Sequence, residues 1–169
     1  MRTDYPTPTA TAKSVAFTGH RTIRPEHLER LRTALAPAIV ELYERGCRDF
    51  YCGMAMGFDL LAAEVVIELK AICPQLRLLA AIPFHHQDRF YSETDKARYQ
   101  KVLAATDERI ILTTRYDRNA YRIRNAFMIE HAAHVIAYFD ASLLYTGTGQ
   151  TLRMAERNGC TISNLFDRM

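Results

Sequence analysis

Residues 50–64 contain the residue types and spacing that best fit a ligand-binding turn. Their sequence, Phe-Tyr-Cys-Gly-Met-Ala-Met-Gly-Phe-Asp-Leu-Leu-Ala-Ala-Glu, begins as an aromatic-rich strand and takes on helical spacing from about Asp59. Gly53 and Gly57 bracket the connection. A helix that opens beside a glycine turn offers unpaired N–H groups and a partial positive charge, which favour phosphate. Neither G-x-x-x-x-G-K-[ST] nor G-x-G-x-x-G is present, so the alternative is a plain sharp turn with Asp59 as the helix N-cap.

Two more segments offer groups for an anion. Gly19-His20-Arg21 follows an apolar stretch, and arginine can hold phosphate through a bidentate fork, although a surface arginine paired with a carboxylate is the alternative. Residues 145–151 form a glycine and hydroxyl turn before a helix. Its N–H groups and threonine hydroxyls can hold a second phosphate or a ribose, and the alternative is a plain turn with a threonine helix cap.

Basic and histidine residues elsewhere are less specific. Four arginines follow the fourth predicted strand, and several arginines near one edge of the sheet suit an anionic ligand. For most of them the alternative is a solvated basic helix face. They are Arg115, Arg118, Arg122 and Arg124. His131 and His134 straddle a predicted helix end and strand start and do not form H-E-x-x-H, and His85-His86 has no Cys or carboxylate at ligand spacing. We therefore expect no metal site, and we expect no cofactor.

Length and composition indicate a cytoplasmic protein with one folded domain. The chain has 169 residues, which we divide into a flexible tail over residues 1–12 and one domain over residues 13–169. The four cysteines form no C-x-x-C pair and fit reduced core thiols. No apolar run reaches membrane-spanning length, so we expect no membrane partner. A net charge of +3 is too mild to indicate nucleic acid.

The predicted elements alternate between strand and helix. Strands are predicted over residues 14–18, 49–52, 76–82, 109–113, 134–139 and 161–165. Helices are predicted from about residue 25 to 45, from 59, and over 88–106, 120–131 and 150–158. The strands are nearly continuous apolar runs, which predicts a single Rossmann-like three-layer domain with a mostly parallel five- or six-stranded sheet. Ligands of such a sheet bind where the loops leave the carboxyl ends of its strands.

Three motifs in order resemble the LOG/DprA-like Rossmann (SLOG) superfamily. Residues 52–59, Cys-Gly-Met-Ala-Met-Gly-Phe-Asp, resemble its Ser-Gly-x-Ala-x-Gly-x-Asp turn, and Thr18-Gly19-His20-Arg21 is similar to its Gly-Ser-Arg or Gly-Tyr-Arg. Arg124-Asn125-x-x-Met128, followed by an apolar strand and a Gly-Thr turn, completes the pattern. Within the superfamily the chain looks most like the DUF1273/YpsA-like branch, over about residues 15–158.

The resemblance implies binding of a nucleotide or nucleotide-derived small molecule, as a sensor or regulatory module. Arg21 and Arg124 would neutralise charge, and Asp59 would cap its helix or meet a ribose hydroxyl. The resemblance also allows a homo-oligomer as a partner. The implied ligand-binding residues are Gly19, His20, Arg21, Gly53, Met54, Ala55, Gly57, Asp59, Arg124, Asn125, Gly147, Thr148, Gly149, Gln150 and Thr151.

Two other functions follow from branches of the same superfamily. The phosphoribohydrolases cleave the base–ribose bond of a nucleoside monophosphate with the Arg of Arg-Lys-x-x-Met and a Glu in Gly-Gly-x-Gly-Thr-x-Glu-Glu. Arg124 matches that Arg, but Arg153 stands at the Glu position, and Glu156 is a weak substitute one turn further on, so we lean towards a protein that is not an enzyme. The DNA-processing branch binds single-stranded DNA, which the mild net charge argues against.

Overall fold

Six strands of the described residues form one sheet: β1 (Ser14–Gly19), β2 (Asp49–Cys52), β3 (Arg77–Ile82), β4 (Glu108–Ile111), β5 (His134–Tyr138) and β6 (Thr161–Asn164). The computed structural model describes residues 13–143 and 145–169, so the tail predicted over residues 1–12 lies outside the described residues. The strand order is β4-β3-β2-β1-β5-β6, and every pairing is parallel. The prediction of a Rossmann-like α/β domain is confirmed, with six strands and a wholly parallel sheet.

Helices cover both faces of the sheet: α1 (Leu28–Glu44), α2 (Phe58–Leu69), α3 (Glu93–Ala104), α4 (Ala120–His131) and α5 (Gly147–Arg157). The side chains of α1, α2 and α3 share one hydrophobic core, and those of α4 and α5 share the other. Successive strand residues point to opposite cores, so Phe17 of β1 packs in the first and its neighbour Ala16 in the second. Burial on both faces is the reason that the strands are apolar throughout.

The helix predicted over residues 88–106 is in fact two elements. A short 3₁₀ turn, Gln87–Phe90, ends at Tyr91, whose backbone is extended with φ −71° and ψ 157°. Helix α3 then begins because the Ser92 side chain accepts a hydrogen bond from the Asp95 N–H. Polar composition alone did not reveal this break.

Helix α5 begins three residues earlier than predicted. The hydroxyl of Thr146 caps it by accepting the N–H of Gly149 at 3.0 Å, so the segment predicted as a glycine turn is largely the first turn of the helix. The glycines at 147 and 149 therefore lie inside a helix terminus and not in a loop.

The order of the strands creates a crevice beside β1. From β1 the chain moves outward through β2 and β3 to β4, and α4 then returns it to β5 on the other side of β1. The segments that leave β1 and β5 at their carboxyl ends consequently run to opposite faces of the sheet. Such a switch point is where open parallel sheets bind ligands.

Candidate ligand-binding site

A cavity of about 240 Å³ lies at this switch point. Four segments form its walls: the end of β1 with the two residues after it, the turn after β2 with the first turn of α2, one side of α4, and the start of α5. The lining residues are Phe17, Thr18, Gly19, His20, Arg21, Ala55, Asp59, Tyr121, Arg124, Asn125, Met128, Thr146, Gly147 and Thr148.

The cavity brings together nine of the residues that the sequence analysis named for a ligand: Gly19, His20, Arg21, Ala55, Asp59, Arg124, Asn125, Gly147 and Thr148. The other named ligand residues lie outside the lining: Gly53, Met54, Gly57, Gly149, Gln150 and Thr151. The candidate enzyme residue Glu156 and its neighbour Arg153 are exposed on α5 and do not line the cavity. The exposed arginines 115, 118 and 122 do not line it either.

Gly53 lies outside the lining because two lining side chains pack against it. A Cβ atom at Gly53 would lie 2.4 Å from Arg124 Nη1 and 2.9 Å from Asp59 Oδ2. Arg124 also donates a hydrogen bond from Nη1 to the Gly53 carbonyl oxygen. The glycine is therefore needed so that a guanidinium and a carboxylate can both approach the end of β2.

Asp59 presents a buried carboxylate to the cavity. The N-cap of α2 is Gly57, so the alternative that Asp59 caps the helix is wrong; its Oδ2 instead accepts the Ala55 N–H at 3.2 Å. Its Oδ1 has no hydrogen-bond partner within residues 13–143 and 145–169. Burial raises the pKa of Asp59 to about 6, and the guanidinium of Arg124 opposes that rise. One carboxylate oxygen is thus available to a hydroxyl or N–H donor of a ligand.

Arg124 is held by a chain of hydrogen bonds that reaches the start of α5. Its Nε donates to Asn125 Oδ1 at 2.6 Å, and Asn125 Nδ2 donates to Thr151 Oγ1 at 2.9 Å. Thr151 in turn donates to the carbonyl oxygen of Gly147 at 2.9 Å. Burial lowers the pKa of Arg124, and Asp59 opposes that shift. Thr151 thus acts behind the lining, as a residue that positions Arg124 and the α5 terminus.

The start of α5 offers unpaired donors. In the described part of the chain, the N–H groups of Gly147 and Thr148 have no acceptor, whereas the Gly149 N–H is taken by the Thr146 hydroxyl. Thr148 is only 8% exposed as a residue, but its hydroxyl is accessible from the cavity and makes no hydrogen bond with those residues. A Cβ at Gly147 would meet no atom within 4 Å, so this terminus opens onto free space. Free N–H groups at a helix N-terminus attract anions.

The turn after β2 differs from the start of α5, because several of its N–H donors already bond to acceptors within the protein. The Phe58 N–H donates to the His20 carbonyl oxygen at 3.2 Å, and the Met54 N–H donates to Cys52 Sγ at 3.4 Å. Gly57 has a φ of 74°, and a Cβ there would lie 2.7 Å from the same His20 oxygen. This glycine supports a left-handed backbone and close packing against the segment after β1.

Tyr121, Thr18 and Thr146 line the cavity but were not named as ligand residues from the sequence. Two guanidiniums approach the ring of Tyr121: the Cζ of Arg21 is 5.0 Å and that of Arg124 is 5.7 Å from its centroid. Its spacing of three from Arg124 on a helix was a signal that could have identified it. Thr146 was hidden by the late start assigned to α5.

His20 closes the cavity on the β5 side. Its Nε2 accepts the Asp140 N–H at 2.9 Å, which requires an unprotonated Nε2. Burial lowers the pKa of His20, although the Asp140 carboxylate opposes the shift. The imidazole therefore fixes the loop after β5 in its neutral form.

A model described as the YspA SLOG family matches residues 16–162. UPF0398 proteins of Halalkalibacterium halodurans and Bacillus licheniformis are each 30% identical to the chain, over 112 and 115 residues. The matches cover 65% and 67% of this chain but only 59% and 63% of those relatives, less than two thirds of their length. A UPF0398 protein of Bacillus cereus is 27% identical over 137 residues, which is 76% of this chain and 74% of the relative.

Two solved structures share the fold. DNA processing protein A from Helicobacter pylori, described as binding single-stranded DNA, has a TM-score of 0.61 at 19% identity and covers 89% of this chain and 64% of its own. The structural-genomics target TM1055 has a TM-score of 0.57 at 14% identity, with coverage of 92% and 79%. Among the described residues, no helix is long and apolar enough to span a bilayer, and no three His, Cys, Asp or Glu side chains group as metal ligands.

Proposed function

The chain belongs to the YspA SLOG family, and from that premise we propose that it binds a nucleotide or nucleotide-derived small molecule in the cavity beside β1, as a sensor or regulatory module. One observation carries the proposal: the cavity gathers polar groups that face its open space and have no hydrogen-bond partner among the described residues. A concave site with a few polar groups that converge on it and are free to bond a ligand is typical of a small-molecule site.

The unpaired groups match the parts of a nucleotide. Phosphate oxygens suit the free N–H groups of Gly147 and Thr148, and the sugar hydroxyls suit the free Oδ1 of Asp59. The ring of Tyr121 offers an aromatic surface for a base.

Arg21 supplies a positive charge to the lining of the cavity. It is exposed, and the described residues hold its guanidinium only through the cation–π contact with Tyr121. Such a contact is worth about 0.5–1 kcal/mol at an exposed site, so the guanidinium can leave the ring for a phosphate at little cost.

Thermal unfolding with a panel of nucleotides, including AMP, ADP-ribose, NAD and cyclic nucleotides, tests the proposal. A ligand that binds only the folded chain raises the Tm. We expect Arg21→Ala to reduce the ligand-induced rise with little change in the Tm of the free protein. Arg118→Ala, which removes an exposed arginine outside the cavity, is the matched control. The proposal fails if no nucleotide raises the Tm, or if both variants respond like the wild type.

Hydrolysis of the base–ribose bond is the second candidate, and one observation favours it. Asp59 places a carboxylate in the cavity with Arg124, whereas Glu156 lies outside. A carboxylate can stabilise an oxocarbenium-like transition state. Assay of the same mixtures for released base separates the two functions, because a binding module shifts the Tm without turnover.

Binding of single-stranded DNA is the third candidate. Tyr116 is 59% exposed and lies beside the exposed Arg115, a pairing that suits a stacked base and a phosphate. Titration with a labelled oligonucleotide at several salt concentrations decides this case. Steeply salt-dependent binding would support it.

A further inference from the structure

We propose that the chain has a separate anion site at the amino ends of β5 and β6, which binds a phosphoryl group carried by free phosphate or by a small phosphomonoester. This amino-end site is a cavity of about 160 Å³ between the sheet and the second half of α1. It lies at the opposite edge of the sheet from the crevice beside β1, and it does not depend on nucleotide binding there. The polar residues that line it are Glu41, Arg45, His134, Thr161, Ser163 and Arg168.

The floor of the amino-end site is a polar strip of the sheet. Thr161 of β6 pairs with His134 of β5, and two residues further on Ser163 pairs with Ile136. Ile136 packs in the core that α1 covers, so all of these side chains point to the same face of the sheet as α1. The hydroxyls of Thr161 and Ser163 make no hydrogen bond with the described residues, so both can donate to an oxyanion.

Two arginines stand on different walls of the amino-end site. Arg45 is the C-cap residue of α1, and Arg168 ends the 3₁₀ turn Leu165–Arg168 that follows β6. The guanidinium of Arg168 has no hydrogen-bond, ion-pair or ring partner within residues 13–143 and 145–169. Arg45 Nη1 lies 3.7 Å from Glu41 Oε1, but both side chains are more than half exposed, and such a pair contributes about 0–1 kcal/mol. Both guanidiniums are therefore free to bind an oxyanion through charge-assisted hydrogen bonds.

The carboxyl end of α1 does not cancel this positive charge. The last carbonyl groups of a helix carry a partial negative charge, which repels anions when the groups are open. Here the Leu42 carbonyl oxygen accepts the Cys47 N–H at 2.9 Å, and the Arg45 carbonyl oxygen accepts the ammonium group of Lys13 at 2.8 Å. Lys13 thus covers the helix end and adds a further positive charge beside the cavity.

The protonation of His134 reports the charge of these surroundings. Burial is the main cause that lowers the pKa of His134, and the positive charges of Arg45 and Lys13 lower it further. The charged groups around the imidazole are Lys13, Glu41, Arg45 and Arg168, so the cations outweigh the one carboxylate. A bound anion would offset that excess of positive charge.

The arrangement of the donors favours a tetrahedral oxyanion over a carboxylate. They belong to α1, to the sheet and to the turn after β6, so they approach the cavity from three sides. A phosphate presents oxygens in several directions, whereas a carboxylate accepts hydrogen bonds close to one plane. Sites for drug-sized molecules have volumes of about 300–1,000 Å³. The smaller volume here restricts the occupant to phosphate or a small phosphomonoester.

Titration of the full chain with inorganic phosphate, followed through the imidazole NMR signals of His134, tests the amino-end site. We expect a saturable shift of these signals and a rise in the pKa of His134, because a bound anion favours the imidazolium. Acetate at the same ionic strength should bind about tenfold or more weakly. Glycerol phosphate distinguishes the two sources of the phosphoryl group: tighter binding than phosphate indicates a phosphomonoester, and equal or weaker binding indicates free phosphate.

Two variants assign the binding to the arginines. Arg45→Gln and Arg168→Gln each remove one charged donor from an exposed position, so the fold should be retained. We expect each variant to weaken phosphate binding at His134 by about tenfold. Arg153→Gln, which changes an exposed arginine of α5 outside the cavity, is the matched control and should bind like the wild type.

The outcomes separate the amino-end site from the crevice beside β1. Phosphate that shifts the signals of His20, which lines the crevice, and not those of His134 would overturn the amino-end site and leave the nucleotide proposal standing. An equal response to acetate would also overturn it, as would equal binding by the two arginine variants and Arg153→Gln. A nucleotide panel that leaves the Tm unchanged would reject the proposed function alone, because the probe here is phosphate at His134.

Discussion

Arg124 donates a hydrogen bond from Nη1 to the carbonyl oxygen of Gly53, which joins α4 to the turn after β2. The same oxygen accepts Gln87 Nε2 at 3.0 Å, so a side chain beyond β3 is tied to this point as well. Because Arg124 is only 5% exposed, its guanidinium is in place before any ligand arrives. A group that is preorganised in this way costs little entropy on binding.

Removal of the Arg124 side chain should destabilise the fold. Arg124→Ala removes one of the two hydrogen bonds to the Gly53 carbonyl oxygen and the hydrogen bond to Asn125 Oδ1. It also takes the guanidinium away from the buried Asp59 carboxylate and opens a void, so we expect a loss of about 2–4 kcal/mol in the free energy of unfolding. Urea denaturation measures it. Arg122→Ala, exposed on the same helix, should stay within about 0.5 kcal/mol of the wild type. Similar losses for both variants would contradict the anchoring role.

Glycines 57 and 147 should respond in opposite ways to alanine. Gly57→Ala needs a left-handed backbone and would place Cβ 2.3 Å from the Arg21 carbonyl oxygen. We expect it to cost about 2 kcal/mol or more. Gly147→Ala meets no atom within 4 Å and should be neutral or slightly stabilising, since alanine is the better helix former. Thermal unfolding of both variants compares the packed position with the open one. If Gly57→Ala unfolds at the same temperature as the wild type, the close packing described at Gly57 is wrong.

Asp59 should make stability fall as the pH rises. Its pKa is raised from 3.8 to about 6 in the folded chain, so the folded state holds a proton that the unfolded state has lost. The stability that protonation of Asp59 contributes is therefore fully present below about pH 4. It is lost as the pH rises through about 6, by a total of about 3 kcal/mol. Denaturant unfolding of Asp59→Asn against the wild type across this range should show a difference that grows in favour of the variant.

The comparison with Asp59→Asn also separates Asp59 from other groups that titrate nearby. Burial lowers the pKa of His20, which affects stability in the opposite direction, but His20 is present in both proteins and cancels in the difference. A pH-independent difference between the two proteins would mean that Asp59 has no raised pKa.

The thiols should react in an order set by burial. Cys47, Cys52 and Cys73 are buried and Cys160 is partly exposed, and all four are free. Burial raises the pKa of the Cys52 thiol, which keeps it from forming the reactive thiolate. Alkylation of the native chain at about pH 8, followed by mass spectrometry, should label Cys160 first, and guanidinium chloride should expose all four. Early labelling of Cys52 would be inconsistent with the core described above.

The fold could be predicted because its signals are local. Alternating apolar strands and helical stripes are written in neighbouring residues, and they predicted β2 and α4 with the observed bounds. Two of the boundaries that were missed, at Tyr91 and Thr146, depend on the hydroxyl caps of Ser92 and Thr146. A threonine or serine in a polar stretch has the same composition whether it caps a helix or lies in a loop.

By itself, the sequence determined a parallel Rossmann-like domain and the edge at which its candidate ligand residues would gather, because periodicity and chain order decide both. Only the tertiary structure decided which groups remain unpaired there. Asp59, Arg124 and Thr148 are far apart in the chain and meet only through the strand order β2-β1-β5. The glycines at 57 and 147 look alike in sequence, yet one packs against a carbonyl and the other faces open space. The availability of a polar group depends on the neighbours that folding brings to it, and local pattern does not specify those neighbours.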